Sequence, residues 1–138
     1  MVEGLRRHKL DIPVLAVETI GASSLAQSVA RNERIILPSI KSVATSLGAT
    51  QVSEHAFGLV VENRVSCAVV SDLQAVDACL RFIDDHRILV EPACGASIAT
   101  AYANAPELGT YKNITIIVLR WHNRIIGATE GLASGPNG

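Results

Sequence analysis

The stretch PVLAVETIGA, residues 13–22, decides the fold class of this chain. Its first six residues are almost all apolar, which is typical of a strand buried on both faces. A second run of this kind, SCAVV, covers residues 66–70, and a third, ITIIVL, covers residues 114–119. Helical patterns separate the three runs. Apolar strands that alternate with helices predict a parallel sheet covered by helices, and therefore an α/β fold.

The helical segments differ in how clearly the sequence marks them. The clearest begins after Ser71, where Ser71 and Gln74 can form a capping box ahead of a long amphipathic face. A weaker helix is indicated near Val2 and Leu5. Residues 34–38 are at most a short edge strand, because Pro38 cannot donate to a strand ladder. The remaining helices are predicted over about residues 23–31, 42–47, 53–62 and 96–105, with Gly48 closing the second of them.

Composition excludes several classes of function. The chain has 138 residues, a net charge of −1 and a pI near 6.4, whereas nucleic-acid-binding domains usually have a basic patch and a pI above about 9. No apolar run approaches the roughly 20 residues that span a bilayer, and no cleavable signal is visible. The three cysteines lack paired metal spacing, and their odd number suits a reducing compartment. We expect a cytoplasmic protein without nucleic-acid or membrane partners.

The balance of apolar and charged residues indicates an incomplete fold. Hydrophobic residues make up 49% of the chain and charged residues only 18%, below the usual quarter. A small domain of this composition has more apolar surface than its polar residues can cover. Three or four strands also make a thin sheet for an α/β architecture. We therefore expect that the domain packs against something else or lacks part of its sheet.

Residue types and spacing alone define no catalytic constellation. Glycine-rich phosphate motifs are absent, and the four histidines are scattered. Cys94, at a predicted helix start, is the one cysteine with an electrostatic reason for reactivity, although packing is the simpler interpretation. Lys41 lies in a turn and is best interpreted as solvated. Glu18 ends an apolar strand, where ligands of parallel sheets collect, and it can bind a cation, cap the next turn or reach solvent.

Four segments, in order, resemble eukaryotic L-serine/L-threonine dehydratases, which are pyridoxal-phosphate enzymes of the tryptophan-synthase-β type. Residues 12–22 are similar to the family segment PV.AVET.GA, and residues 37–49 are similar to LP.ITSVA.SLG. Residues 69–76 resemble V.SD.EAV, and residues 89–96 equal LVEPACGA residue for residue. The resemblance runs from about residue 2 to residue 119. It implies an incomplete tryptophan synthase β-like fold, with residues 1–119 as part of a lyase domain.

The resemblance also implies an activity and a site. Family members convert L-serine or L-threonine to a 2-oxo acid and ammonia with pyridoxal phosphate, in amino-acid metabolism and gluconeogenesis, and the intact enzyme is expected to be a homodimer. A monovalent cation, potassium, lies beside the cofactor. Its ligands here would be the Glu18 carboxylate and the main-chain carbonyls of Ala22, Leu47 and Ala49. Ser46 falls where the family backbone passes the cofactor.

The sequence departs from the family pattern at both ends. The family's Schiff-base lysine, its ring-packing asparagine and its glycine-rich phosphate loop would all lie before Met1. Residues 120–138 look foreign to the family, and we expect them to form a divergent, disordered tail. No catalytic residue can be carried over, so the chain is expected to be inactive alone. The alternative to an enzyme fragment is a truncated α/β module without catalysis that keeps only the scaffold and a cation site.

Overall fold

The computed structural model describes residues 1–118. The expected tail over residues 120–138 therefore lies outside the described residues, and so does Leu119. The helices and strands are α1 (Val2–Arg7), β1 (Val14–Thr19), α2 (Ser24–Arg31), α3 (Glu54–Glu62), β2 (Val65–Val70), α4 (Asp72–His86) and α5 (Pro92–Tyr102). Short 3₁₀ turns cover Ile20–Ala22, Thr45–Leu47 and Pro106–Leu108. No helix of this part of the chain is long and apolar enough to cross a bilayer.

The two strands form a parallel sheet. Val14 of β1 lies opposite Val65 of β2, and Thr19 lies opposite Val70. Helix α5 contacts both strands, while α2 and α3 contact β2. The predicted α/β class, with a partial parallel sheet covered by helices, is confirmed. Because the strands are parallel and in register, their carboxyl ends meet at one edge, which we call the carboxyl edge and define by Glu18, Thr19 and Val70.

The apolar core lies mainly between α4 and α5. Ala75, Ala78 and Cys79 of α4 are buried against Ile98 and Ala99 of α5, together with Val70 and Val90. The capping box predicted for α4 is present: Ser71 accepts from the Gln74 N–H, and the Gln74 side chain accepts from the Ser71 N–H. The small residues of α5 allow its backbone to approach α4 closely. A Cβ atom at Gly95 would collide with the Ala75 carbonyl oxygen and the Cys79 Sγ.

The prediction of a third buried strand is wrong for residues 114–118. These residues form neither a strand nor a helix, and Ile114 and Ile117 are 48% and 46% exposed. A β-strand is stable only when its N–H and carbonyl groups find a neighbouring strand. The described sheet consists of β1 and β2, and residues 114–118 pair with neither of them. An apolar, β-branched sequence is therefore not sufficient here.

The prediction of a helix over residues 42–47 is also wrong. Only the 3₁₀ turn Thr45–Leu47 forms, and the Gly48 N–H closes it on the Thr45 carbonyl. The reason lies in Ser42 and Val43, whose hydroxyl and N–H groups bond to a distant side chain instead of starting a helix. Residues 34–38 form no strand either, although the Leu37 N–H donates to the Thr50 carbonyl at 2.8 Å. Residues 34–50 are thus an irregular segment.

The contact at Gly95 can be tested with a matched pair of glycines. Gly95→Ala is expected to lower the free energy of unfolding by about 1–3 kcal/mol, because the added methyl overpacks the α4–α5 interface. Gly58→Ala in α3 is the control: its Cβ would meet nothing within 4 Å, so it should raise the free energy of unfolding by up to about 1 kcal/mol. Urea denaturation measures both, and equal effects would contradict the close approach.

Candidate functional site

Glu18 holds the start of a helix. Its two carboxylate oxygens accept hydrogen bonds from the N–H groups of Leu25 at 3.1 Å and Ala26 at 2.8 Å, both in the first turn of α2. Burial raises the pKa of the Glu18 carboxyl, and the two N–H donors oppose that rise. Of the alternatives left open by the sequence, capping is the one observed. A carboxylate has about four acceptor positions, so this role leaves room for a further partner.

The irregular segment 34–50 runs along the carboxyl edge in direct main-chain contact with the turn after β1. The Lys41 N–H donates to the Gly21 carbonyl at 2.9 Å. A Cβ atom at Gly21 would overlap the Lys41 carbonyl oxygen, so only glycine permits this approach. This contact places Lys41 beside Gly21, which lies three residues after Glu18 in the chain. The Lys41 side chain is exposed, as expected.

Ser42 is the centre of a hydrogen-bond network at this edge. Its hydroxyl donates to Asp72 Oδ1 at 2.6 Å and accepts from the Ala44 N–H at 3.0 Å. The Thr19 hydroxyl lies 2.8 Å away. Because the single Ser42 proton is directed to the carboxylate, Thr19 must be the donor in that contact. The second Asp72 oxygen, Oδ2, accepts from the Val43 N–H at 3.0 Å. We call these bonds the Ser42 network.

A second polar pair holds the same segment further along. The Ser46 hydroxyl donates to Glu91 Oε1 at 2.9 Å. Glu91 is only 8% exposed and is the residue that precedes α5. Ser46 itself is exposed, with its hydroxyl orientation fixed by this bond. Sequence reasoning did not identify the role of Glu91 in holding Ser46.

The residues expected to bind a cation differ in their surroundings. Glu18 is half-buried, Ala22 is fully buried, Leu47 is half-buried and Ala49 is exposed. The Leu47 carbonyl already accepts from the Ala49 N–H at 2.8 Å, which leaves one of its two lone pairs. Contacts after β1 bring the Glu18 end of the strand and the segment before Leu47 to the same edge. Within residues 1–118, no group of three or more His, Cys, Asp or Glu side chains could hold a metal ion.

Sequence reasoning did not identify Thr19, Ser42 and Asp72 as residues of the site. Each of them nevertheless lies in one of the segments that carry the family resemblance, as Ser46 and Glu91 do. The signal was therefore present, as short polar side chains inside otherwise apolar matched segments. Cys94 is buried in the core beside α4, which agrees with packing. Burial, with a smaller contribution from Cys94, raises the pKa of the Cys79 thiol to about 11.

The described residues do not by themselves fit pyridoxal phosphate. A phosphate is commonly held by free N–H groups at a helix start, but in each of the longer helices of residues 1–118 one or two of these groups are already bonded to a side chain or missing. Glu18 bonds the first turn of α2, Ser53 caps α3, and Ser71 with Gln74 caps α4. Helix α5 begins with Pro92, which has no N–H. The lysines of this part, which could form a Schiff base, are all exposed: Lys9, Lys41 and Lys112.

Comparison with known proteins gives a consistent result. The family model described as pyridoxal-phosphate dependent enzyme matches residues 1–119. An L-serine dehydratase/L-threonine deaminase of Bos taurus is 47% identical over 94 residues, which cover 68% of this chain and 29% of that protein. A serine dehydratase-like protein of Mus musculus is 45% identical over 92 residues, 67% of this chain and 28% of that protein.

The fold agrees with solved structures as well. The crystal structure of a fungal L-serine ammonia-lyase from Rhizomucor miehei superposes with a TM-score of 0.75 and 31% identity, over 83% of this chain and 36% of that chain. Such neighbours are tryptophan synthase β-like enzymes, which confirms the predicted fold type. The chain spans about a third of the length of the relatives it matches. Because the family model covers 119 of 138 residues, the chain belongs to the family of pyridoxal-phosphate dependent enzymes.

Proposed function

We propose that this chain is part of an L-serine/L-threonine dehydratase, in which residues 1–119 belong to the lyase domain. The reaction would convert a hydroxy amino acid to a 2-oxo acid and ammonia, with pyridoxal phosphate as cofactor. The identity with relatives of that name supports the assignment. The proposal includes an amino-acid substrate, a cytoplasmic enzyme of gluconeogenesis and amino-acid metabolism, and a homodimer in the intact protein.

One structural observation gives this proposal its strongest support. The four segments that resemble the dehydratases are far apart in the sequence, yet side-chain hydrogen bonds join them at the carboxyl edge. The Ser42 network links the first three segments through Thr19, Ser42 and Asp72. Ser46 and Glu91 link the second segment to the fourth. In parallel sheets this edge is where ligands bind, so the resemblance is concentrated where chemistry is expected.

Within that enzyme we assign a potassium site to the described residues. The proposed ligands are the Glu18 carboxylate and the carbonyls of Ala22, Leu47 and Ala49, the oxygen donors that a hard cation prefers. Burial works against the charged form of Glu18, and a cation next to this carboxylate would offset that effect. Ser46, which is exposed and bonded to Glu91, is proposed to face the cofactor.

The second candidate is a module without catalysis that keeps the scaffold and the potassium site. The partly bonded helix starts and the exposed lysines of residues 1–118 favour it for this chain acting alone. The two candidates share the family and the cation site. They differ in whether the chain forms part of a catalytic enzyme.

The potassium site predicts a salt-specific melting temperature. The full chain is expected to melt at a higher temperature in potassium chloride than in sodium or tetramethylammonium chloride of equal ionic strength, because a ligand that binds only the native state stabilises it. Glu18→Gln should remove this potassium-specific difference. It should also lower the free energy of unfolding by about 1 kcal/mol in every salt, because the amide oxygen replaces a charged acceptor of two N–H bonds.

The control for this measurement is Glu33→Gln, which removes the charge of an exposed carboxylate just beyond α2. It should keep the potassium-specific rise in melting temperature. Equal melting temperatures of the wild-type chain in the three salts would contradict the cation site, and Glu18 would then be only the cap of α2.

Covalent labelling tests whether this chain itself supplies a lysine that binds pyridoxal phosphate. The full chain is incubated with pyridoxal phosphate, reduced with borohydride and mapped by peptide mass spectrometry. We expect Lys41 to be labelled to the same low extent as the exposed lysines Lys9 and Lys112, because a reactive lysine needs a desolvated site. Stoichiometric labelling at Lys41 alone would contradict the module without catalysis and make Lys41 a cofactor-binding residue.

A further inference from the structure

Two carboxylates at the starts of neighbouring helices hold the same irregular segment. Asp72 is the first residue of α4, and Glu91 directly precedes α5. The two helices pack on each other, with Gly95 in close contact with Ala75 and Cys79. The positions of the two carboxylates are therefore fixed relative to one another by the apolar core. We call them the two anchors.

Asp72 holds the segment just before a 3₁₀ turn, and Glu91 holds it within that turn. Asp72 binds the Ser42 hydroxyl and the Val43 N–H, and Glu91 binds the Ser46 hydroxyl. The 3₁₀ turn Thr45–Leu47 begins between these points and ends at one of the proposed cation ligands. Because residues 34–44 contain no regular helix or strand, these bonds hold the chain that leads into the turn, in which the Leu47 carbonyl also accepts from the Ala49 N–H at 2.8 Å.

The same network reaches the other side of the proposed site. The Thr19 hydroxyl donates to Ser42, and Thr19 is fully buried and directly follows Glu18 in β1. One chain of contacts thus runs from the residue next to the Glu18 carboxylate, through Ser42 and Asp72, to the turn that carries Leu47. It relates the carboxylate ligand to the carbonyl ligands, although neither anchor belongs to the ligand set.

We propose that Asp72 and Glu91 are positioning residues of the potassium site: they hold residues 42–46 so that the carbonyls of Leu47 and Ala49 face the same point as the Glu18 carboxylate, and thereby set the affinity for the cation. This inference rests on the potassium site proposed above. Groups that orient metal ligands without touching the metal commonly change metal affinity by about 10–100-fold when they are replaced.

The test measures the potassium concentration that half-saturates the site of the full chain, which is obtained from how the melting temperature depends on potassium concentration and is called the half-effect concentration. Asp72→Asn keeps one acceptor of the two, and Ser42→Ala removes the central hydroxyl. Both are expected to require at least about tenfold more potassium than the wild-type chain. Ser46→Ala, which removes the Glu91 bond, should act in the same direction. A purely structural role would lower the melting temperature in every salt and leave the half-effect concentration unchanged.

Two variants serve as matched controls. Ser42→Thr keeps a hydroxyl at the centre of the network and should restore a half-effect concentration near that of the wild-type chain. Asp77→Asn removes a carboxylate that is exposed on the same helix as Asp72 and should leave the half-effect concentration unchanged. If Asp72→Asn does not fold, the comparison of Ser42→Ala with Ser42→Thr gives the answer.

The possible outcomes distinguish a failure of this inference from a failure of the proposed cation site. A wild-type response to potassium with the same half-effect concentration in Asp72→Asn and Ser42→Ala overturns the inference and leaves the site. A wild-type chain that does not respond to potassium overturns the site. In that case amide hydrogen exchange still tests whether Asp72 holds the segment. Asp72→Asn should speed exchange at Val43 and Ala44 but not in α5. Exchange at Val43 and Ala44 as slow as in the wild-type chain would contradict the role of Asp72 as an anchor.

Discussion

The hydroxyl of Ser42 is the contact on which the rest of the carboxyl edge depends. It uses its one proton on Asp72 and accepts from both the Thr19 hydroxyl and the Ala44 N–H. Thr19 is fully buried at the end of β1, so its hydroxyl needs a partner, and leaving a buried polar group unsatisfied costs about 1–3 kcal/mol. One small side chain therefore joins a strand, an irregular segment and the start of a helix.

Apolar packing and polar contacts have different roles in this arrangement. The interface of α4 and α5, which small residues allow to be tight, fixes where the starts of both helices lie. Polar side chains at those starts then define the path of residues 34–50, which have little regular structure of their own. The four segments that resemble the dehydratases are the four parts of this construction. These segments are joined to one another by side-chain hydrogen bonds, in addition to the elements that each segment forms.

The sequence was informative where a pattern is local. The capping box of Ser71 and Gln74, the strands β1 and β2, and the α/β class follow from neighbouring residues, and all are confirmed. The burial predicted for both strands is only partial, since most of β1 is half-buried and β2 exposes Ser66 and Val69. Residues 42–47 and 114–118 show the limit. No helix forms over residues 42–47, because groups at its start bond to Asp72 instead. No strand forms over residues 114–118, because they have no neighbouring strand in the described sheet. Glu18 could not be resolved either, since its partners in α2 lie seven and eight residues away in the chain. Ser42 and Asp72 are 30 residues apart, beyond any periodicity.

The most direct measurement of this account is a double-mutant cycle between Ser42→Ala and Asp72→Ala, with the free energy of unfolding obtained from urea denaturation. Because the two side chains share a charged hydrogen bond of 2.6 Å, the account predicts a coupling energy of about 1 kcal/mol or more. Ser42→Ala combined with Asp77→Ala, which changes an exposed residue of the same helix, should be additive within about 0.5 kcal/mol. A coupling energy near zero for Ser42 and Asp72 would contradict the claim that this contact organises the carboxyl edge.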